Sequence, residues 1–452
     1  MTPPSTGEYA PSKLELFQTA RRLGSLGLMM HIWRNHGDLA RVRLGGNRSF
    51  FLVVHPAHVR HIAVTHRQNY EKGPSYDGVR RLMLGDGVLT AVGEDWRQQR
   101  RIMAPFFTPR GVEKYYPVFI ADTARYIERL RSAPRSGQPV DMFDEMMLIT
   151  ATVILHSVFS TDSDETLLRF KDAAETLIAY VSNRDRKLIP LPEWVPTPEN
   201  LRYQRMRRAV NEYIGGLIAK RRSLPEGQWP DDLLTKMMTT RDEESGATMA
   251  DRILLDNGIT LFFAGHETTA RTLSFLWYAL ARNPEVEARL HAELDAVLGE
   301  APPALEDLKK LPYTLQVVKE VLRLYPAAPM YVRDAVAEDT LDGVRIPAGS
   351  RMLLFPYATH RHEGFWEEPE RFHPDRWLPE REAARDAHAY HPFAAGQRIC
   401  LGNNFSLFET HLMTAMLARR FKMRLAPGYQ LRLDASGTLG ARDGMPMFIE
   451  PR

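Results

Sequence analysis

The amino-acid sequence predicts a mainly α-helical fold with small β-sheets, and three observations support this prediction. Residues 250–282 are apolar on nearly every face, which is typical of a long buried helix. Residues 403–420 and much of residues 110–180 repeat apolar side chains at helical spacing. In contrast, residues 39–54 and 423–450 contain only short extended runs, which favour small sheets and hairpins.

The overall composition is that of an ordinary globular protein and excludes several classes. The chain has 452 residues, of which 44% are hydrophobic and 25% charged, and length alone would predict two or three domains. A formal net charge of +3 is too small to indicate a nucleic-acid-binding surface. The single cysteine, Cys400, excludes a disulfide framework and fits the reducing cytoplasm. The polar N-terminus and the broken apolar stretch near Leu23 predict neither a signal peptide nor a membrane anchor.

The first third of the chain contains a candidate binding segment. Residues 39–54 predict two short strands around a Gly-Gly-Asn turn. Residues 72–95 contain five glycines and predict a loop, in which Val88 is a candidate wall of a pocket. In the helix that follows, Trp96 and Arg100 are four residues apart and share one face. An amphipathic surface helix would explain that pair equally well.

Two segments in the middle of the chain suggest motion or chemistry. The proline-rich residues 188–198 are either a moving lid or an inert connector, and the sequence favours neither. Within the long helix, the Thr268 hydroxyl can bond back to the Ala264 carbonyl, and Gly265 weakens the helix, so we expect a local bulge. A simple kink explains the glycine and the threonine. It does not explain Glu267, because an acid inside an apolar helix usually marks a functional site.

A structural network is predicted behind the site. Glu320 and Arg323 are three residues apart and share a helix face, although this spacing is common. Such a buried network must be fully paired, so it should stabilise the fold and take no part in the chemistry.

The neighbouring histidines could suggest a metal site. His360, His362 and His373 lie within a stretch that is rich in charged residues and proline. This composition favours a solvated loop over a metal site.

The only cysteine lies in a loop directly before a predicted helix. Free amides and the helix dipole at that N-terminus favour the thiolate form of Cys400. One cysteine is too few for a structural zinc site or an iron–sulfur cluster. Taken alone, such a cysteine is usually a small buried apolar side chain.

The loop around Cys400 matches the pattern F-x-x-G-x-R-x-C-x-G, through Phe393, Gly396, Arg398, Cys400 and Gly402. Through this motif the sequence resembles the cytochrome P450 family. The family motifs W-x-x-x-R, A-G-x-E/D-T and E-x-x-R also occur, in the expected order. The resemblance implies that the Glu320–Arg323 pair has an arginine as its third partner. The flanking Phe-x-Pro and the spacing favour Arg376, in the Phe-His-Pro-Asp-Arg-Trp segment, over Arg371. The resemblance implies the cytochrome P450 fold, with the long central helix over the haem, as a single haem domain spanning residues 1–452.

The resemblance also implies a cofactor and its ligands. The cofactor would be haem b, iron protoporphyrin IX, with Cys400 as the axial ligand of the iron. Phe393 would cover the sulfur, while Gly396 and Gly402 would admit the porphyrin closely and permit positive φ. Four side chains are expected to bind the haem propionates, namely Trp96, Arg100, Arg333 and Arg398.

The implied reaction inserts one oxygen atom of O2 into a C–H bond of a lipophilic small molecule, such as a fatty acid, terpenoid or steroid. The residues expected to take part in catalysis are Ala264, Gly265, Glu267 and Thr268, with Glu267 and Thr268 relaying protons. The expected pocket walls are mostly small and apolar: Val88, Ala264, Ala327, Ala328, Met330 and Leu439.

Electrons are expected to come from separate partners. The sequence has no G-x-G-x-x-G fingerprint opening a βαβ unit, so NAD(P)H would act through a reductase and a ferredoxin or flavodoxin. We expect a monomer with no nucleic-acid or membrane partner. Two alternatives are a peroxide-driven peroxygenase, which usually replaces the acid–alcohol pair, and a haem-binding sensor without catalysis.

Overall fold

One long helix runs through the middle of the molecule, and the other large helices pack around it. The computed structural model describes residues 5–44, 49–132, 137–161, 173, 176–181, 184, 191–299, 301–435 and 437–452. Its α-helices are α1 Lys13–His36, α2 Pro56–Arg60, α3 Asp77–Val79, α4 Gly93–Met103, α5 Pro109–Glu113, α6 Tyr116–Ser132, α7 Met142–Phe159, α8 Pro198–Ser223, α9 Leu233–Thr239, α10 Asp251–Arg282, α11 Pro284–Val297, α12 Leu305–Leu308, α13 Pro312–Leu324, α14 Pro356–Thr359, α15 Pro379–Ala383 and α16 Asn403–Ala418.

Shorter 3-10 and π-helical turns connect these helices. They lie at His61–Thr65, Arg67–Asn69, Pro74–Tyr76, Arg80–Leu84, Ala104–Phe107, Glu226–Gln228, Pro374–Trp377, Ala387–Ala389 and Gly396–Arg398. The strands are β1 Thr6–Tyr9, β2 Leu39–Arg43, β3 Ser49–Val53, β4 Tyr70–Glu71, β5 Val140–Asp141, β6 Tyr331–Ala335, β7 Asp339–Leu341, β8 Val344–Ile346, β9 Arg351–Leu354, β10 Phe421–Leu425, β11 Leu433–Asp434, β12 Gly440–Ala441 and β13 Pro446–Pro451.

The predicted central helix is confirmed as α10, which has 32 residues and is therefore about 48 Å long. It packs most extensively against α7. A Cβ at Gly265 would lie 2.5 Å from Ile154 Cδ1 of α7, and one at Gly258 would lie 2.8 Å from Ile214 Cγ2 of α8. These glycines therefore allow the neighbouring helices to approach α10 closely.

Helix α7 is apolar and long enough to cross a membrane by composition alone. Within this structure, however, 67% of it is buried, and it lies against α10 and α6. Its apolar composition is explained by its position in the core.

The strands form small sheets beside the helical part. The largest sheet has the order β1-β2-β3-β9-β6-β4, and β10, β13 and β5 form a second sheet. The predicted strand pair is confirmed as β2 and β3, which pair antiparallel with Leu39 opposite Val53. The glycine-containing turn that was expected between them lies at residues outside the described ranges.

The prediction of a loop over residues 72–95 is only partly right. Residues 74–84 form consecutive helical turns, and extended or irregular backbone is confined to the flanks. Leu82 and Leu84 are buried, and the Tyr203 hydroxyl donates to the Leu82 carbonyl at 2.7 Å. Tertiary packing therefore outweighs the local preference of the glycines for a loop.

Only part of the proline-rich segment can be described, because residues 188–190 lie outside the described residues. From Leu191 the chain is irregular, and α8 begins at Pro198. The Thr197 side chain caps α8 by accepting the Asn200 N–H at 3.1 Å. Whether this segment moves stays a prediction.

The expectation that the histidines at 360, 362 and 373 belong to a solvated loop is wrong for His360, which is fully buried. Its Nε2 accepts the His391 N–H at 2.9 Å, and its Nδ1 lies 3.1 Å from the Arg323 carbonyl. Burial lowers the pKa of His360 well below the ordinary value, so the ring is neutral. Among the described residues, no group of three or more potential metal ligands is assembled.

Candidate active site

The loop that presents Cys400 is shaped by one close backbone approach. The Cys400 N–H donates to the Phe393 carbonyl at 2.8 Å, which closes the loop. Gly396 has a φ of +70°, and a Cβ there would lie 1.8 Å from the Ala63 carbonyl oxygen. Only glycine fits this position. Gly396 packs closely against the segment around Ala63, and it shapes the loop through this contact.

The Cys400 thiol lies at the N-terminus of α16. Gly402 is the N-cap residue, and its N–H hydrogen-bonds to the sulfur. Burial raises the pKa of the thiol, while the Gly402 N–H and the nearby charges of Arg100 and Lys72 oppose that rise. A thiolate here therefore requires further positive charge, which a bound metal ion would supply.

Gly402 does not use positive φ, contrary to expectation. Its φ is −86°, and no atom lies within 4 Å of the position that a Cβ would take. The space beside Gly402 agrees with the expected close approach of a flat cofactor, but the backbone conformation there does not require glycine.

Four cations surround this loop: Lys72 and Arg333 are buried, and Arg100 and Arg398 are half-buried. Arg100 donates to the Ile399 carbonyl at 2.9 Å, and Arg398 donates to the Ala91 carbonyl at 2.9 Å. Arg333 bonds the Val332 carbonyl at 2.7 Å, and Lys72 bonds the Leu89 carbonyl at 2.7 Å. All four are thus held by backbone oxygens.

These cations repel one another. Burial and the charges of Arg333, Arg398 and Arg100 together lower the pKa of Lys72 well below its ordinary value. Burial, Arg333 and Arg100 lower the pKa of Arg398 to about 10. Across the described ranges, none of the four forms an ion pair with a carboxylate. A dicarboxylate ligand would satisfy this cluster, and the two propionates of haem fit that requirement.

Trp96 lies next to the cluster, as its spacing from Arg100 implies. The Arg398 guanidinium stacks on the buried Trp96 ring, 3.8 Å from the ring centroid. This stacking holds the planar guanidinium in place and leaves its edges available to an anion. Sequence reasoning identified all three arginines but missed Lys72, which no family motif marks.

Three small side chains are exposed although their chain neighbours are buried or half-buried. Ala264 is exposed in the middle of α10 between buried Phe263 and half-buried Gly265, and Ala328 and Cys400 are likewise exposed. We infer that they face an internal space, since the surrounding segments belong to the core. A sulfur ligand, four buried or half-buried cations and small apolar walls together fit a haem with its substrate.

The expected hydrogen bond within α10 is present, but the expected bulge is not. The Thr268 hydroxyl donates to the Ala264 carbonyl at 2.9 Å. The segment nevertheless stays α-helical throughout, and Gly265 serves the close packing against Ile154 described above. His266 is buried, its pKa is lowered by burial, and its ring bonds to the Phe262 carbonyl, as expected for a polar contact.

Glu267 is buried and turns towards the C-terminal hairpin. Its Oε1 accepts a hydrogen bond from the Thr438 hydroxyl at 2.7 Å and lies 3.5 Å from an Arg271 guanidinium nitrogen. Among the described residues, it has no hydrogen bond with Thr268. This role of Thr438 was not found from the sequence, because it depends on the folding back of a distant hairpin. Arg271 was overlooked, although it lies four residues after Glu267 on the same helix.

The expected pocket walls differ in accessibility. Val88 and Met330 are half-buried, and Ala264 and Ala328 are exposed. Ala327 and Leu439 are buried, and the Leu439 N–H donates to the Ala327 carbonyl at 2.9 Å. This backbone link packs the hairpin against the segment after α13, so these two residues offer little surface to a ligand.

The segment carrying Val88 is fastened to the central helix. The Val88 N–H donates to Asn257 Oδ1 at 2.8 Å, and the Asp86 N–H donates to Asp256 Oδ2 at 2.9 Å. Asn257 Nδ2 in turn donates to Gln99 Oε1 at 2.8 Å. Two polar residues inside α10 therefore fix the position of the candidate wall.

The structure brings Glu320, Arg323 and Arg376 together in a buried cluster. Arg323 donates twice to the Glu320 carboxylate, at 2.9 Å each, and Arg376 Nε lies 3.3 Å from it. The Trp377 indole N–H adds a bond at 3.0 Å. Arg371 instead forms an exposed ion pair with Glu368. The Glu320 carboxylate and the Arg323 guanidinium are almost fully paired, which limits the free-energy cost of burying these two charges.

Comparisons with known proteins agree with this architecture. The family model described as Cytochrome P450 matches residues 4–440. Cyclooctat-9-en-7-ol 5-monooxygenase of Streptomyces melanosporofaciens is 36% identical over 94% of this chain and 93% of its own length. Pentalenene oxygenase of Streptomyces avermitilis is 32% identical, covering 89% of this chain and 88% of its own. Among solved structures, the cytochrome P450DA heme domain superposes with a TM-score of 0.88 at 25% identity, covering 99% of this chain and 98% of that one.

Proposed function

Because this chain belongs to the cytochrome P450 family and is a monooxygenase of that family, we propose that it hydroxylates a cyclic terpenoid. The reaction takes a C–H bond, O2, two electrons and two protons to an alcohol and water. One oxygen atom enters the substrate and the other leaves as water.

The observation behind the substrate class is the chemistry of the accessible walls. Ala264 and Ala328 are exposed, and half-buried Val88 and Met330 add apolar surface. The four cations are grouped around Cys400, where they are assigned to the propionates. None is thereby left for a substrate carboxylate, which favours a neutral hydrocarbon skeleton over a fatty acid. Two relatives are named for cyclooctat-9-en-7-ol and pentalenene, both of them terpenoids.

Residues of this chain would bind the cofactor and move protons. Cys400 would ligate the haem iron, while Trp96, Arg100, Arg333, Arg398 and Lys72 would hold the propionates. When bound, the haem supplies oxygen activation, which thiolate ligation favours. Thr268 would hold a proton at its hydroxyl, and Glu267 would replace that proton. Electrons would come from NAD(P)H through a reductase and a ferredoxin or flavodoxin.

The test is a spectral titration of the purified ferric protein with cyclic terpenoids, fatty acids and steroids. A saturable conversion from low spin to high spin by terpenoids alone is expected, because an apolar ligand displaces the water on the iron. Turnover with a surrogate ferredoxin and reductase should then give a hydroxylated terpenoid. A spin-state change that saturates only with fatty acids would overturn the proposed terpenoid substrate.

Ala328→Phe provides a variant with a matched control. A phenyl ring at this accessible position should fill the space and weaken terpenoid binding about tenfold or more, with the haem spectrum unchanged. Ala337→Phe places the same ring at an exposed position after β6 and should leave binding unaltered. Equal product yields with hydrogen peroxide in place of the electron donors would favour a peroxygenase.

A further inference from the structure

The contacts of Glu267 link the proposed proton relay to the C-terminal hairpin. The Thr438 hydroxyl donates to Glu267 Oε1 at 2.7 Å, and the Arg271 guanidinium is 3.5 Å from the same oxygen. The Glu267 side chain is only 11% exposed. One acid in a buried environment is thus held by two residues from different parts of the chain.

Arg271 is itself fixed by its surroundings. Its guanidinium lies 3.5 Å from the centroid of the Phe143 ring. A Cβ at Gly440 would lie 2.4 Å from an Arg271 nitrogen, so the glycine of β12 makes room for this side chain. The Arg271 side chain is 20% exposed and therefore reaches from the buried acid to the solvent.

A small cavity opens beside this arginine. Its volume is about 20 Å³, enough for one water molecule, and its lining comprises Phe143, Arg271, Ser274, Phe275, Gly440, Ala441, Gly444 and Met445. Several of these residues are only half-buried, so water can reach the cavity. The cavity therefore adjoins the Arg271 side chain that contacts Glu267.

The hairpin that contributes Thr438 is held in register. Its strands β11 and β12 pair with Leu433 opposite Ala441. The adjacent Leu439 N–H donates to the Ala327 carbonyl at 2.9 Å. Thr438 therefore meets Glu267 from a fixed backbone, and its hydroxyl can orient the carboxyl without rearrangement of the hairpin.

We propose that Thr438 and Arg271 are positioning residues that hold the Glu267 carboxyl between Thr268 and the Arg271-lined cavity, through which solvent replaces each proton that Glu267 gives up. This inference rests on the proposed monooxygenase function. The relay breaks one carboxyl O–H bond towards Thr268 and forms one with a proton from solvent. The carboxyl is unchanged over the cycle, and the electrons come from the redox partners named above.

The experiment compares wild type, Thr438→Val and Thr438→Ser with a surrogate ferredoxin and reductase. Valine has nearly the shape of threonine but removes the donor, whereas serine keeps it. For Thr438→Val we expect the ratio of product to NADPH consumed to fall about fivefold, which corresponds to one hydrogen bond of about 1 kcal/mol. Hydrogen peroxide should rise in proportion, and the solvent deuterium isotope effect should increase. Thr438→Ser should keep the product-to-NADPH ratio, the hydrogen peroxide yield and the solvent isotope effect close to those of the wild type.

The readouts separate this role from others. A Thr438 that merely contacted substrate would change the affinity in the spin-state titration, which we expect to remain within twofold of wild type. Arg271→Gln should reproduce the loss of coupling, while Thr239→Val, at an exposed position of α9, should not. Unchanged coupling and isotope effect in Thr438→Val would overturn the inference. Failure of the wild type to turn over any terpenoid would instead overturn the proposed function.

Discussion

The Thr268 hydroxyl donates to the Ala264 carbonyl at 2.9 Å, one helical turn earlier in the central helix. Ala264 is exposed there and Thr268 is half-buried, so both lie on the face of α10 that is not covered by α7. The hydrogen bond fixes the hydroxyl at this face. Four predictions follow from this site and from the packing that supports it.

Removal of the Thr268 hydroxyl should uncouple electron consumption from product formation. In Thr268→Ala we expect the yield of product per NADPH to fall at least tenfold and hydrogen peroxide to rise, because the proton donor is lost. Thr272→Val is the matched control, since Thr272 makes the same type of bond, to the Thr268 carbonyl at 2.9 Å. Coupling in Thr268→Ala equal to that in Thr272→Val would contradict the proposed relay.

The buried Glu320 network should determine stability. Glu320→Gln leaves two buried guanidinium groups without their charge partner and should cost about 3–5 kcal/mol of unfolding free energy. Glu368→Gln alters a pair with the same spacing, but that pair is exposed, so about 0–1 kcal/mol is expected. Urea unfolding of the haem-loaded protein measures both. Similar losses of unfolding free energy in the two variants would show that burial does not determine how much an ion pair contributes to stability.

Close packing at Gly265 can be tested by paired substitutions. Gly265→Ala places a Cβ 2.5 Å from Ile154 Cδ1, so overpacking should destabilise the fold by about 1–3 kcal/mol. In the double variant Gly265→Ala/Ile154→Val the Cδ1 atom is absent, so most of the lost unfolding free energy should be recovered. Gly396→Ala meets a backbone carbonyl instead, and no side-chain substitution should rescue it. Thermal unfolding of the single and double variants distinguishes these outcomes.

Stability should fall with acid through His411. Burial lowers the pKa of His411 to about 4, and its Nε2 bonds the Leu311 carbonyl at 3.1 Å. The unfolded chain, with a pKa near 6.5, therefore binds more protons than the folded chain between about pH 6.5 and 4. The contribution of the neutral His411 ring to the unfolding free energy is complete above about pH 6.5 and is lost as the pH falls towards about 4.

The size of this effect can be isolated with His411→Gln. Between pH 7 and 5, the wild type should lose about 2 kcal/mol more unfolding free energy than the variant. Urea unfolding at both pH values provides the comparison. Parallel losses in the two proteins would mean that His411 titrates normally in the folded state.

The sequence predicted the helical elements well where a single periodic pattern decides the structure. Helix α10 was expected at 250–282 and spans Asp251–Arg282, because apolar residues on every face leave no alternative to burial. The turns at residues 74–84 were missed, since their glycines favour a loop and only the burial of Leu82 and Leu84 outweighs that preference. Local pattern and tertiary packing disagree there.

The candidate site was predictable where a motif fixes both residue type and spacing. Cys400, Thr268 and Glu320 belong to such motifs. Lys72 does not, because its importance comes from charges that only folding brings together. Arg271 was missed although its i, i+4 spacing from Glu267 could be read from the sequence. His360 was misjudged for a similar reason, since a charged stretch of sequence conceals a fully buried ring.

The central claim is that Cys400 ligates haem iron, and the spectrum of the reduced carbon monoxide complex tests it most directly. The wild type should show the red-shifted Soret band of thiolate ligation, and Cys400→His should retain haem but lose that shift. An unshifted band in the wild type, or an identical shifted band in Cys400→His, would contradict the assignment of Cys400 as the axial ligand.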